Sequence, residues 1–210
     1  MPTNQQILSG LSEITNEWQF LALVWHIYFG MLVIALFWGV RPQQRLMGIL
    51  LALPLLSVSA LAWITANLFN GAVFGLVGLL LIGVAFSLSR DSVMAGPPWV
   101  VIAGIAFFLF GWIYPHFLDM SSLLTYLYAA PTGLIPCPTL SIVIGTTLIL
   151  GGLGSRAWSF TLGATGIFYA IFGAAHLGVA IDWILLAGTL LLFVVAIKPG
   201  LISAVDRARL

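Results

Sequence analysis

Charge is what this sequence has least of. Lys, Arg, Asp and Glu make up 6% of its 210 residues, against roughly 25% in ordinary soluble domains. The seven basic residues form no run and the formal net charge is +1. Nucleic acid is excluded as a partner, because that mode needs clustered cations to release counterions from phosphates. Cysteine is almost missing too. Cys137 alone cannot form an intrachain disulfide or a multi-cysteine zinc or iron–sulfur framework, and the redox compartment stays open. The single lysine, Lys198, lies at the end of the last apolar run. A retinal-type sensor needs its lysine at mid-membrane, so that class is excluded as well. Finally, Met1 to Asn16 has neither a positive n-region nor an apolar h-region, so no cleavable signal peptide is expected.

What is present is hydrophobic, at 61% of residues. Apolar runs near the ~20 residues that cross ~30 Å of hydrocarbon as a helix occupy 18–39, 47–68, 71–89, 98–118, 134–154, 157–177 and 180–198. They are continuous, where barrel strands would alternate. The sequence therefore predicts an all-α, polytopic membrane bundle of seven transmembrane helices. Its parts are an interfacial segment 1–16, a transmembrane domain 17–198 and a tail 199–210. Ile7, Leu8, Leu11, Ile14 and Trp18 recur at helical spacing behind a Thr3/Gln6 capping box. This reads as a short amphipathic helix on the membrane surface, with a frayed polar tail as the alternative.

Orientation follows from the basic residues. With seven spans, Arg41, Arg45, Arg90, Arg156, Lys198, Arg207 and Arg209 all fall on one side, which is cytoplasmic by the positive-inside rule, leaving the amino terminus outside. Glu13, Glu17, Asp119 and Asp182 fall outside; Asp91 and Asp206 do not. Tryptophans agree: Trp18, Trp63, Trp112 and Trp183 map to the outer boundary, Trp38, Trp99 and Trp158 to the inner one, and only Trp25 lies deeper. Gly71 and Gly75, Ala170 and Ala174, and the glycines at 151, 152, 163, 166 and 173 let helix backbones approach closely, which suits spans three, five and six to inner positions or to packing on one another. No inverted repeat supports a secondary-transporter plan.

The stretch Tyr128 to Thr139 breaks this pattern with three prolines and the only cysteine. Pro131, Pro136 and Pro138 oppose regular helix from Ala130 to Cys137, and non-helical backbone near a membrane must be buried or line water. The preceding loop carries Leu123, Leu124, Tyr126, Leu127 and Tyr128, too apolar for water. A re-entrant connection before span five is expected, delivering Cys137 to the outer mouth of the bundle. Pro138 is also compatible with plain helix initiation.

All three histidines lie in the outer half. His116 and Asp119, three apart, can share a helical face with Trp112, the carboxylate fixing the imidazole tautomer. His176 shares a stripe with Tyr169 and Gly173, and His26 lies two turns inside span one beside Trp25. Ionisable groups in membranes often mark a pathway, which makes Cys137, His116, His176, His26, Tyr128 and Asp119 candidate binding residues. A soft metal ion would call on Cys137, His116 and His176, with Met120 or Asp119 completing the shell. Each group also has a structural reading. His116 and His176 can cap helix carboxyl ends, His26 can bond a neighbouring carbonyl, Asp182 can be an amino-terminal cap, Glu17 can serve a first-turn dipole, and Cys137 can be an inert buried thiol.

Ala130-Pro131-Thr132-Gly133 followed by Pro136-Cys137-Pro138-Thr139 and Gly145, with Tyr114-Pro115 upstream, resembles the signature of an uncharacterised family of bacterial multi-pass membrane proteins. The resemblance implies a bacterial inner (cytoplasmic) membrane and no particular activity. Expected partners are the lipid bilayer and either other membrane proteins or copies of the chain. The functional readings are a small-solute or soft-metal-ion transporter, uptake or binding protein with an outward vestibule, or a non-catalytic subunit or assembly factor. A Cys137 enzyme has no recognisable nucleophile motif behind it.

Overall fold

The computed structural model describes residues 3–119 and 122–197. It is all-α, and its helices follow in chain order as α1 (Asn4–Glu17), α2 (Gln19–Phe37), α3 (Gln44–Ile64), α4 (Leu68–Ser87), α5 (Pro98–Ile113), a 3-10 turn Leu123–Thr125 leading into α6 (Tyr126–Ala129), α7 (Pro136–Ile149), α8 (Arg156–Ile171) and α9 (Asp182–Ile197). A π turn, Phe172–His176, extends α8. Among the described residues, four helices are long and apolar enough to cross a membrane: α2, α3, α4 and α8 with its π turn; α5, α7 and α9 are apolar but shorter.

The shorter helices end sooner than the apolar runs of the sequence. α5 stops at Ile113 because Tyr114 precedes Pro115, and the residue before proline is pushed out of helical geometry. Past α7, Gly151, Gly152, Leu153 and Gly154 all take positive φ, from 53 to 74°; this left-handed turn is available because three of the four residues lack a Cβ. At the other end, α7 begins at Pro136, with Cys137 and Pro138 inside its first turn. Helix initiation therefore wins over disruption at these two prolines, since a first-turn N–H has no helical acceptor to lose. Within Tyr128 to Thr139, only Ala130 to Ile135 is irregular.

α7 is the central helix, with Leu140 to Leu148 wholly buried. α5 lies directly against it through glycines on both sides. A Cβ on Gly111 would meet Pro138 O at 2.7 Å, and one on Gly104 would meet Gly145 O at the same distance. Gly163 lets Phe193 of α9 against α8 in the same manner. α4 keeps only a minority of its residues buried; of the expected alternatives it is a packed helix, set against α3 and α8, and not an inner one. Its Gly71 and Gly75 serve the α3 hairpin partner, accommodating the Trp63 ring and Ser59 Oγ at 3.0 Å each.

The loops gather at two opposite ends. Gln44 N donates to Asp91 O at 2.9 Å, Val93 N to Pro42 O at 2.8 Å and Gly96 N to Ile149 O at 2.9 Å, which joins the three connections carrying Arg41, Arg45, Arg90 and Arg156. The other end holds α1, segments 114–119 and 122–135 and the α8–α9 turn.

α1 forms with the expected cap: Thr3 Oγ1 accepts from Gln6 N at 3.3 Å, and Gln6 Oε1 accepts from Thr3 N at 2.8 Å. Its apolar face, however, is turned to protein. Leu11 and Ile14 are buried in a cluster with Ala22, Leu61, Leu134 and Ile135, worth about 1.5–3 kcal/mol for each large side chain. The helix thus closes one end of the bundle. Trp18 breaks the path between α1 and α2. Glu17 is consequently the last residue of α1 and not part of a first helical turn. Trp158, assigned to the inner boundary by position, is fully buried and donates to Thr147 Oγ1 at 3.3 Å.

Candidate functional site

The segment before α7 is held by its own threonines. Ala129 to Pro136 is continuously buried. Thr132 Oγ1 donates to Gly111 O at 2.6 Å, and Thr139 Oγ1 accepts from Gly133 N at 2.8 Å while donating to Ile135 O at 2.7 Å. Irregular backbone in an apolar setting needs such internal partners. Gly133 has φ +78°, and a Cβ there would overlap the Trp25 indole. That indole is fixed by an N–H bond of 3.0 Å to Ser57 Oγ. The result is a rigid platform from which α7 starts, with Cys137 on its first turn.

Cys137 meets Asp182, the first residue of α9. Its Sγ lies 3.1 Å from Asp182 Oδ2, with the Tyr169 carbonyl further off at 3.9 Å. The other carboxylate oxygen, Oδ1, accepts from Tyr114 OH at 2.7 Å. Asp182 is 2% exposed, and among the described residues it has no ion-pair partner. Its carboxylate serves side chains from two other elements, so it is not the amino-terminal cap that its position suggests. The π turn makes the space: a Cβ on Gly173 would overlap Asp182 Oδ2. Beside this trio, Tyr169 OH donates to Asn70 Oδ1 at 2.8 Å. Ser141, one turn beyond Cys137 on α7, is fully buried with no partner for its hydroxyl.

A cavity of about 30 Å³ adjoins the trio, lined by Cys137, Asp182, Tyr169 and Asn70 and covered by Ile7 and Leu11 of α1 and by Phe117. It has room for a water molecule. Phe117 holds φ at +70°, a conformation costly for a non-glycine residue. Its carbonyl accepts from Ser12 Oγ and from Asn16 Nδ2 at 3.1 Å each. Its ring stacks on Tyr114 at 6.4 Å. Phe117 therefore connects the α1 cover to the residue that bonds Asp182.

Of the six candidate binding residues (Cys137, His116, His176, His26, Tyr128 and Asp119), the cavity receives Cys137 alone. His116 and Asp119 line a separate surface cleft beside α1. They lie beyond the end of α5, off the helical face expected for them, and Asp119 pairs with Asn16, accepting from Nδ2 at 3.3 Å and donating its N–H to Oδ1 at 2.9 Å. His116 is largely exposed, yet its packing on Phe117 at 4.3 Å withdraws the ring from water enough to lower its pKa from the usual histidine value. His176 is exposed and lies against Phe172 at 5.0 Å, while its carbonyl accepts from Asn4 Nδ2 at 2.6 Å. His26 is buried, its Nδ1 2.8 Å from Ala22 O and its Nε2 2.9 Å from Trp112 O, so it links α2 to α5. Tyr128 is half exposed and does not line the cavity.

No group of three or more His, Cys, Asp or Glu side chains capable of sharing a metal ion occurs among the described residues, so Cys137, His116 and His176 are not gathered into a ligand set. Met120 lies outside the described residues. What sequence reasoning did not connect to Cys137 was Tyr114, Asn70, Tyr169, Gly173 and the carboxylate role of Asp182. The one available signal was Asp182 itself, an acid at the edge of an apolar run. Comparison with family models, with curated proteins and with solved structures finds no match for this chain.

Proposed function

We propose that this chain is a seven-span protein of a bacterial inner membrane, amino terminus outside, that takes up or holds a small solute at the Tyr114–Cys137–Asp182 site. The observation that carries this reading is the buried, ion-pair-free carboxylate beside a water-sized cavity under α1. An ionisable group placed so in an apolar bundle is costly, and such groups face the bundle interior or a water-filled cavity along a pathway. The seven-span count is supported by the two-ended arrangement: the described arginines belong to the connections at one end, and Glu13, Glu17, Asp119 and Asp182 to the other. Exposed Trp38, Trp63, Trp99 and Trp183 suit boundary belts. The likeness of Ala130–Gly133 and Pro136–Thr139 to the uncharacterised bacterial family supports the location. The buried run 129–136 suits a connection re-entering the outer leaflet.

Two measurements test it. In a Cys137→Ser background, Ser9→Cys should react with a membrane-impermeant thiol reagent added outside intact cells, and Ser92→Cys only after lysis; the reverse pattern overturns the orientation. Accumulation of a panel of labelled small solutes by cells expressing the chain should fall for Asp182→Asn. Equal accumulation of every solute by wild-type and variant cells rejects the uptake reading.

A second reading, a non-catalytic subunit of a larger membrane complex, is favoured by the outward exposure of Leu123, Leu124, Leu127 and Tyr128, from 50 to 83%. It predicts co-purification of a partner that is lost in a Leu123→Ser, Leu124→Ser variant. For an enzyme with a histidine base the arrangement offers no support, because no histidine lines the cavity at Cys137.

A further inference from the structure

Asp182 is surrounded by groups able to reverse their hydrogen bonds. An arginine, a lysine or a backbone N–H beside a carboxylate can only donate, and so fixes the charged form. The partners here are a phenol and a thiol, and each carries both a proton and a lone pair. With Asp182 ionised, Tyr114 OH donates to Oδ1 and the Cys137 thiol to Oδ2, as the 2.7 and 3.1 Å contacts require. With Asp182 protonated, its O–H can donate to the sulfur while the thiol proton turns toward the Tyr169 carbonyl, 3.9 Å away. Both states are served without moving a helix. Burial opposes the charge and two donors support it, so neither state is locked in.

We propose that Asp182 binds one exchangeable proton delivered through the cavity under α1. A hydronium ion in the cavity would give its proton to Oδ2 and remain as water, leaving a neutral carboxyl; no other bond breaks and no electron moves. Every element packed on the carboxylate fits this assignment. The titratable neighbours are Tyr114 after α5, Cys137 on α7 and Tyr169 on α8. α4 contributes the neutral Asn70, α1 the apolar Ile7 and Leu11, and the α8–α9 turn Leu177 and Val179. His116 and His176, at the same end, turn to Phe117 and Phe172. The inference rests on the location of the site proposed above and not on the solute.

Infrared difference spectra of the full-length chain in lipid nanodiscs, stepped between about pH 4 and pH 9, test it with no solute present. The expected result is a titrating C=O band of a protonated carboxyl that is lost in Asp182→Asn. An S–H band of Cys137 should shift in step with it, and Tyr114→Phe should displace the common midpoint. If Asp182→Asn fails to fold, the link between the two bands in the wild type decides. Bands that titrate together support the proposal, and an S–H band that stays fixed across the range overturns it. A negative solute-uptake result leaves these spectra standing, so the two readings fail separately.

Discussion

The Cys137 thiol is directed at the Asp182 carboxylate from 3.1 Å, although the residues are 45 positions apart. The contact exists because α7 starts at Pro136 on a buried platform, and because α8 ends in a π turn that brings Gly173, without a side chain, against the same carboxylate.

Gly173 is the first test of that geometry. Gly173→Ala places a methyl where Asp182 Oδ2 lies, so the carboxylate must leave its two donors or the helices must separate. A loss of about 1–3 kcal/mol, the usual cost of overpacking, is expected in detergent unfolding. Gly10→Ala, with open space around its new methyl, should be neutral or slightly stabilising.

Cover by α1 should control access to the thiol. Leu11→Ala removes part of the lid over the cavity and costs about 2–5 kcal/mol as a buried truncation. Cys137 should then react with a small methanethiosulfonate at least about tenfold faster than in the wild type, the factor that 1.4 kcal/mol of lost closure supplies. An unchanged rate would place the entry elsewhere.

Gly133 is predicted to be the least tolerant glycine. At φ +78° an alanine is strained by about 1–2 kcal/mol, and its methyl would overlap Trp25. Folded yield of Gly133→Ala should fall sharply, with partial recovery when Trp25→Ala is added.

His26 should prove to be a structural link. His26→Ala removes the Nε2 contact to Trp112 O that ties α2 to α5, at a cost of roughly 1–3 kcal/mol, while Cys137 labelling keeps its wild-type rate. A change in labelling without loss of stability would return His26 to the pathway.

For the surface histidines the expectation is silence. His116→Ala and His176→Ala should leave thiol reactivity and any titrating carboxyl band unchanged, because neither histidine lines the cavity. A metal-dependent protection of Cys137 that either variant abolishes would restore the Cys137, His116 and His176 ligand set.

Much of the helical plan was legible in the chain. Continuous apolar runs set seven hydrophobic helices, and Thr3 with Gln6 set the cap of α1. Arg41, Arg45, Arg90 and Arg156 marked one group of connections because charge stays out of apolar runs. These are local properties, decided by residues within a turn or two of one another. The tertiary structure alone decided the rest. Whether Pro136 and Pro138 break or begin a helix depended on Thr139 satisfying the backbone before them and on Thr132 tying that segment to Gly111 of α5. The apolar face of α1 met Leu61 and Leu134 in place of lipid because the bundle end offered a complementary surface. Asp182 reads locally as a helix cap. It became the centre of the site only when Tyr114, Cys137 and Gly173, from three other segments, closed around it. A buried carboxylate's role is set by the donors within hydrogen-bond reach, and those are fixed by packing across the sequence.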